Sequence, residues 1–217
     1  MTLDLDPDRT LALAYVPASQ RSAVEALWRL DVALAGVLAT GREPMIGRIR
    51  LAWWRESLEK LDRAPPPAEP VLEAVARRVL PLGVTGAEVA EMEQGWAQIL
   101  PSEPVTADSL DAYAANRGGR LFRYSARLLG GPEEAAGKGG EAWALVDLAR
   151  HSGNREEAQQ ALAAARRLPV VPNWPTPLRP LGMLAMLARR DAAREAWEPQ
   201  GSPGRMMRML RHRLTGR

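Results

Sequence analysis

Between Ala26 and Leu61 the chain reads ALWRLDVALAGVLATGREPMIGRIRLAWWRESLEKL, and apolar side chains recur every three or four residues on both sides of a short Gly/Pro-bearing turn. That spacing follows the helical period of about 3.6 residues and not the alternation of a strand. It predicts two long helices folded back on each other. On the first, Val24, Leu27, Trp28, Leu34, Ala35 and Leu38 share one face, with Asp31 in its middle. On the second, Ile46, Ile49, Trp53, Trp54, Leu58 and Leu61 define the expected inward arc, and Arg50 falls inside it. A charge at a core-facing position needs a partner, because an unpaired buried ion is costly. The plainer expectation is that Asp31 and Arg50 pair across the two helices. The alternative makes them parts of a polar site between helices.

The remainder of the chain carries the same helical signal, rich in Ala, Leu, Arg and Glu and without β-branched runs. A short helix is expected over Asp8–Tyr15, closed by Pro17, with Ser19 as N-cap of the helix ending near Thr40. Pro44 suits the first turn of the next helix, which fades before Pro65-Pro66-Pro67. Further helices are expected from about Ala68 to Leu80, from a Thr85/Glu88 capping box through Leu100 to a stop at Pro101 and Pro104, and from Thr106 to Leu129 with an interruption at Gly118-Gly119. Glu133–His151, an Asn154-capped helix to Leu168, Leu178–Trp197 and a short helix after Pro203 complete the series. With 217 residues and 46% hydrophobic content, this predicts an all-α, single-domain helical bundle over 1–217, its core about 6–190 and its last part, 199–217, a basic amphipathic tail.

Five segments carry a resemblance: DPDRTLALAYVPASQR, AVEALWRLD, EPMIGRIRLAWWRESLE, LDAYAANRGGRLFRYSARLLGG and PLRPLGMLAML. In order and spacing, over roughly Asp6 to Leu187, they resemble the squalene/phytoene synthase family. EPMIGRIRLAWW is most similar to a divergent branch that includes a mitochondrial respiratory complex I assembly factor and its bacterial relatives. The resemblance implies an isoprenoid (trans-prenyl) synthase fold, here abbreviated toward its C-terminus. It also implies chemistry in which two aspartate-rich helical motifs hold Mg²⁺ ions against the diphosphate of a prenyl substrate. Aligned on Ala26–Leu30, the first motif's aspartates fall at Ala35, Gly36 and Ala39. The second motif is best matched by DLARHSGNR, where Asp147 and Arg150 take the Asn and Arg positions and His151 and Arg155 stand where aspartates are required. The resemblance therefore implies the fold and speaks against the reaction: no catalytic residue, no metal ligand and no cofactor are expected, with Mg²⁺ needed only if a rearranged site exists.

The resemblance also places Tyr113 and Gly119 against a substrate cavity. Residues expected at such a cavity are Asp31, Arg50, Trp53, Trp54, Tyr113, Arg117 and Arg120. For Trp53 and Trp54 the competing expectation is ordinary packing. For Arg117, Arg120, Arg123 and Arg127 it is a solvated basic face, although arginines can grip phosphate directly. Close helix approach is the default for Gly118-Gly119.

Other chemistry finds little footing. There is no cysteine, and His151 and His212 are the only histidines. No GxSxG, phosphate-loop or dinucleotide signature occurs. With 29 basic and 26 acidic residues spread along the chain, nucleic acid is not an expected partner. The start of the chain is polar and no run is long enough to span a membrane, so a cytoplasmic location is expected, with peripheral contact at an inner membrane as an option. That contact would run through the tail GRMMRMLRHRLTGR, where Arg205, Arg208 and Arg211 flank a Met/Leu side; the competing expectation folds the tail back onto the bundle. Three functions remain: a non-catalytic family member working by binding, with a membrane-associated protein complex as partner; a carrier of an isoprenoid or lipid; and a divergent prenyl transferase.

Overall fold

In the computed structural model, residues 4–40, 43–100, 105–194 and 196–217 are described, and no strand occurs among them. The helices are α1 (Pro7–Ala14), α2 (Ala18–Thr40), α3 (Pro44–Lys60), α4 (Pro70–Arg78), α5 (Gly86–Ala90), α6 (Glu93–Ala97), α7 (Ala107–Tyr113), α8 (Arg120–Leu128), α9 (Glu133–His151), α10 (Arg155–Arg167), α11 (Arg179–Ala192) and α12 (Pro203–Thr215). Gly41 of the expected turn, and Pro101 and Pro104, lie outside the described residues.

Local chemistry sets most of the boundaries. The Asp6 side chain accepts from the backbone N–H groups of Asp8 and Arg9, with Pro7 in the first turn of α1. Thr85 and Glu88 form the expected capping box on α5, and Asn154 caps α10. Ser19, expected as a cap, instead lies one residue inside α2. The helix expected to run on from Thr85 is broken between α5 and α6.

The long helix from Thr106 is continuous but carries a wide π turn over Ala114–Gly119, between α7 and α8. A π turn rotates the residues beyond it relative to a regular helix and often marks a functional position. Here it turns Arg117 inward. Its two glycines press on α9: a Cβ on Gly118 would lie 2.0 Å from the carbonyl oxygen of Gly140, and one on Gly140 would lie 2.1 Å from that of Gly118. Close packing was the default expectation and it holds. Since the obstruction is backbone, no rotamer change relieves it. Gly118→Ala should therefore destabilise the protein by about 3 kcal/mol or more; an unchanged denaturant midpoint would show that the two helices are free to part.

The core lies between α2 and the α8–α9 pair. Leu27, Trp28, Leu30 and Leu34 of α2 are sealed from solvent, and the Trp28 indole donates to Ser125 Oγ at 3.2 Å. α9 packs against α8, α10, α11 and the π turn, which makes it the central element.

On α3 and its C-cap the expected arc holds at Trp54, Leu58 and Leu61 and fails at Ile46, Ile49 and Trp53. Gly47, Leu51, Trp54 and Leu58 face inward, whereas Met45 (72% exposed), Ile46, Ile49 (64%) and Trp53 (46%) face outward. This helix carries two interleaved apolar arcs, so periodicity does not choose between them. The arc containing Gly47 packs because the glycine admits Leu100, which would sit 2.8 Å from an added Cβ. Arg50 turns outward with the exposed arc and does not pair with Asp31.

The C-terminal tail folds back. α12 packs on α11 and α1 through Arg205, which is 4% exposed. Arg205 Nε and Nη2 donate to Asp8 Oδ2 at 2.9 and 2.8 Å, and Nη1 donates to both oxygens of Asp191 at 2.9 and 2.7 Å. Arg208 bonds Glu198 at 2.7 Å, while Arg211 is exposed. The expected basic surface of Arg205, Arg208 and Arg211 is thus corrected at Arg205, which is a core ion-pair residue. Among the described residues no helix is long and apolar enough to cross a membrane.

Candidate functional site

A cavity of about 640 Å³ opens where the C-terminal half of α2, the end of α6, the π turn and the C-terminal end of α9 meet the N-terminal segment. The α2 wall is small and apolar, built from Val32, Ala35, Gly36, Leu38 and Ala39. Trp96 and Ile99 close a second side, and Leu148 and His151 of α9 lie opposite. Such a volume falls within the ordinary range for small-molecule sites.

The polar end of the cavity is a buried charge cluster centred on Asp31, which is fully buried. Arg117 Nε donates to Asp31 Oδ1 at 2.9 Å and Nη2 to Oδ2 at 3.0 Å, a two-point contact. Arg117 Nη2 also donates to Asp147 Oδ2 at 2.7 Å, and Nη1 donates to the Tyr113 hydroxyl. From α1, Arg9 Nη1 reaches Asp31 Oδ2 at 3.0 Å while its Nε holds Asp6 Oδ2 at 2.7 Å. The Arg117 guanidinium lies 4.1 Å from the Trp96 ring centroid and 4.8 Å from that of Trp143, and Arg9 lies 4.8 Å from the same Trp143 ring.

The electrostatics follow from this packing. Burial pushes the Asp147 carboxyl up, but the charges of Arg117, Arg9 and His151 outweigh it and hold the group below its ordinary range. Burial pushes the Tyr113 hydroxyl well up, with Arg117 opposing only in part, so it stays protonated. Arg117 stays cationic: burial works against its charge, and the neighbouring carboxylates more than compensate.

The residues expected at the site divide cleanly. Tyr113 and Arg117 line the cavity and Asp31 lies directly behind it, together with Ala35, Gly36, Ala39 and His151 from the positions aligned to the family's metal motifs. The two aligned segments thus converge on one space from α2 and α9. Arg155 is exposed at the start of α10 and does not line the cavity. Arg50 and Trp53 sit on the outer face of α3, and Trp54 is core packing, edge-on to Trp53 at 5.3 Å between centroids. Arg120 bonds Glu91 and Asn116 instead of reaching the cavity. Arg123 faces Glu134, and Arg127 pairs with Glu88 and Glu133 at 2.7 and 2.8 Å. The expected solvated basic face is therefore a set of surface ion pairs, and Arg117 leaves it altogether for the interior.

Sequence alone singles out none of Arg9, Trp96 and Trp143, and it places Asp147 only at the second motif's Asn position, not among the cavity residues. One signal was present for two of them: Trp143 and Asp147 stand four residues apart in the otherwise apolar stretch 142–149, hence on one face. For Arg9 and Trp96, at the ends of short helices far apart in sequence, no local pattern pointed to the site.

An all-α bundle enclosing a cavity between helices, with the aligned α2 and α9 positions facing each other across it, defines the isoprenoid synthase class of fold. The chain belongs to the squalene/phytoene synthase family, whose sequence profile matches residues 4–166. No curated protein and no solved structure matches it.

Proposed function

We propose that this protein is a non-catalytic member of the squalene/phytoene synthase family that works by binding, with the cavity beside Asp31 and Arg117 as its ligand site. The observation carrying this reading is what occupies the aligned motif positions. Ala35, Gly36 and Ala39 face the cavity from α2 without a metal-binding side-chain atom, and His151 faces them from α9. The two carboxylates closest to the cavity's polar end, Asp31 and Asp147, are bonded to guanidinium groups. Among the described residues no group of three or more His, Asp or Glu is placed to hold a metal ion. The residues present do not fit a magnesium centre of the family's kind, so no ionisation step is derived through one.

The open cavity supports a carrier or ligand-sensing role for an isoprenoid or other lipid. The likeness of EPMIGRIRLAWW to the assembly-factor branch supports a membrane-associated protein complex as the partner that such binding would serve. The deciding experiment is incubation with farnesyl or geranylgeranyl diphosphate and Mg²⁺, following pyrophosphate. The expected result is no release above a protein-free control. Sustained turnover abolished by EDTA would overturn the reading in favour of a prenyl transferase with a rearranged site.

A further inference from the structure

We infer that the cavity selects a non-anionic amphiphile, an apolar chain ending in an uncharged hydrogen-bonding group, and discriminates against a diphosphate head. The inference rests on the binding role proposed above and names its ligand class.

The first argument is charge. Asp4, Asp6, Asp147 and Glu157 line the cavity, and Asp31 lies directly behind it. Against these carboxylates stand, among the described residues that line the cavity, two guanidiniums, Arg9 and Arg117. His151, whose Nδ1 lies 3.4 Å from Asp147 Oδ1, leaves the balance negative even when protonated. A polyanion entering this space meets a net repulsive field inside low-dielectric walls, where charge interactions are strongest.

The second argument is that the cations are already engaged. Arg117 directs its donors to Asp31, Asp147 and Tyr113, and its ring-facing surfaces are covered by Trp96 and Trp143. To grip a phosphate it would have to give up Asp147, which has no other guanidinium bonded to it among the described residues, and leave buried Asp31 with Arg9 alone. Arg9 is held on both sides, by Asp6 and Asp31. A hydroxyl or carbonyl head makes no such demand. It can accept from a tyrosine hydroxyl or donate to a rim carboxylate while the chain lies along Val32, Ala35, Leu38 and Ile99.

The test compares farnesol with farnesyl diphosphate, and geranylgeraniol with geranylgeranyl diphosphate, by calorimetry or by quenching of tryptophan fluorescence on the full chain. Each diphosphate is measured with and without Mg²⁺. At least one alcohol should bind about tenfold or more tightly than its diphosphate, with no change on adding Mg²⁺. Asp147→Asn removes one carboxylate near Arg117 and should raise the diphosphate-to-alcohol affinity ratio about fivefold. Glu157→Gln, at the rim, should move the ratio the same way and guards against a folding defect in the first variant. Diphosphate binding as tight as the alcohol, without turnover, overturns this inference and leaves the binding role standing. Neither ligand binding at either chain length overturns both, and a ratio unmoved in both variants overturns the charge argument.

Discussion

Replacing Arg117 with methionine should lower the unfolding free energy by about 3–5 kcal/mol, because among the described residues it alone bonds both Asp31 and Asp147, and its loss strips Asp147 of its guanidinium and leaves buried Asp31 with Arg9 alone. Methionine keeps much of the packing volume between Trp96 and Trp143, so the loss reports on charge more than on a void. The Tyr113 hydroxyl loses its Arg117 donor at the same time. Chemical denaturation at neutral pH measures the effect. The acid limb supplies a second reading. In the native protein Asp147 sits below its ordinary value of 3.8, so its contribution is complete above that value and is lost as pH falls through the lower, folded one. Without Arg117 the Asp147 carboxyl should rise, and this part of the acid-induced loss should move to higher pH or vanish. A variant as stable as the parent with an unshifted acid limb would mean that water, rather than Arg117, satisfies these carboxylates.

The second large effect concerns the tail. Arg205→Met should destabilise the protein by about 3–5 kcal/mol by leaving Asp8 without a cation in the interface between α1, α11 and α12 and taking from Asp191 one of its two guanidiniums. Arg150 Nη2 also bonds Asp191 at 2.7 Å, so one carboxylate keeps a partner and the loss should fall on the Asp8 side. Hydrogen exchange across residues 203–215 should accelerate before the rest of the chain, as α12 is joined to the bundle through this contact and its packing on α11. Protection unchanged in α12 would mean that the apolar contacts around Met209 hold it without the ion pairs. The same geometry bears on tests of a membrane-binding tail: deleting residues 204–217 would remove a structural clamp, and loss of a partner would follow from unfolding as readily as from loss of a docking surface.

Much of the architecture was already legible in the chain. Caps at Thr85 and Asn154, the proline at Pro44 and the glycine stop after Leu129 placed helix ends, since each acts through its own backbone and needs no distant partner. The deep position of Asp31 was likewise visible, because one polar residue on an otherwise apolar helical face has nowhere else to point. Family likeness put Ala35, Gly36, Ala39 and His151 against one another, and in the folded chain they do share a cavity.

What the amino-acid order alone determined, then, was where most helices begin and end and that Asp31 is driven inward, both of them properties of local hydrogen bonding and of period. Only the tertiary structure decided which partners that charge takes. Asp31 meets Arg117 from 86 residues away and Arg9 from 22, not the Arg50 that its neighbouring helix offers. The π turn that aims Arg117, and the choice between the two apolar arcs of α3, depend on where glycines let another backbone or side chain approach. Ion-pair choice and helix phase are set by what arrives across the core, and no local window of sequence contains that information.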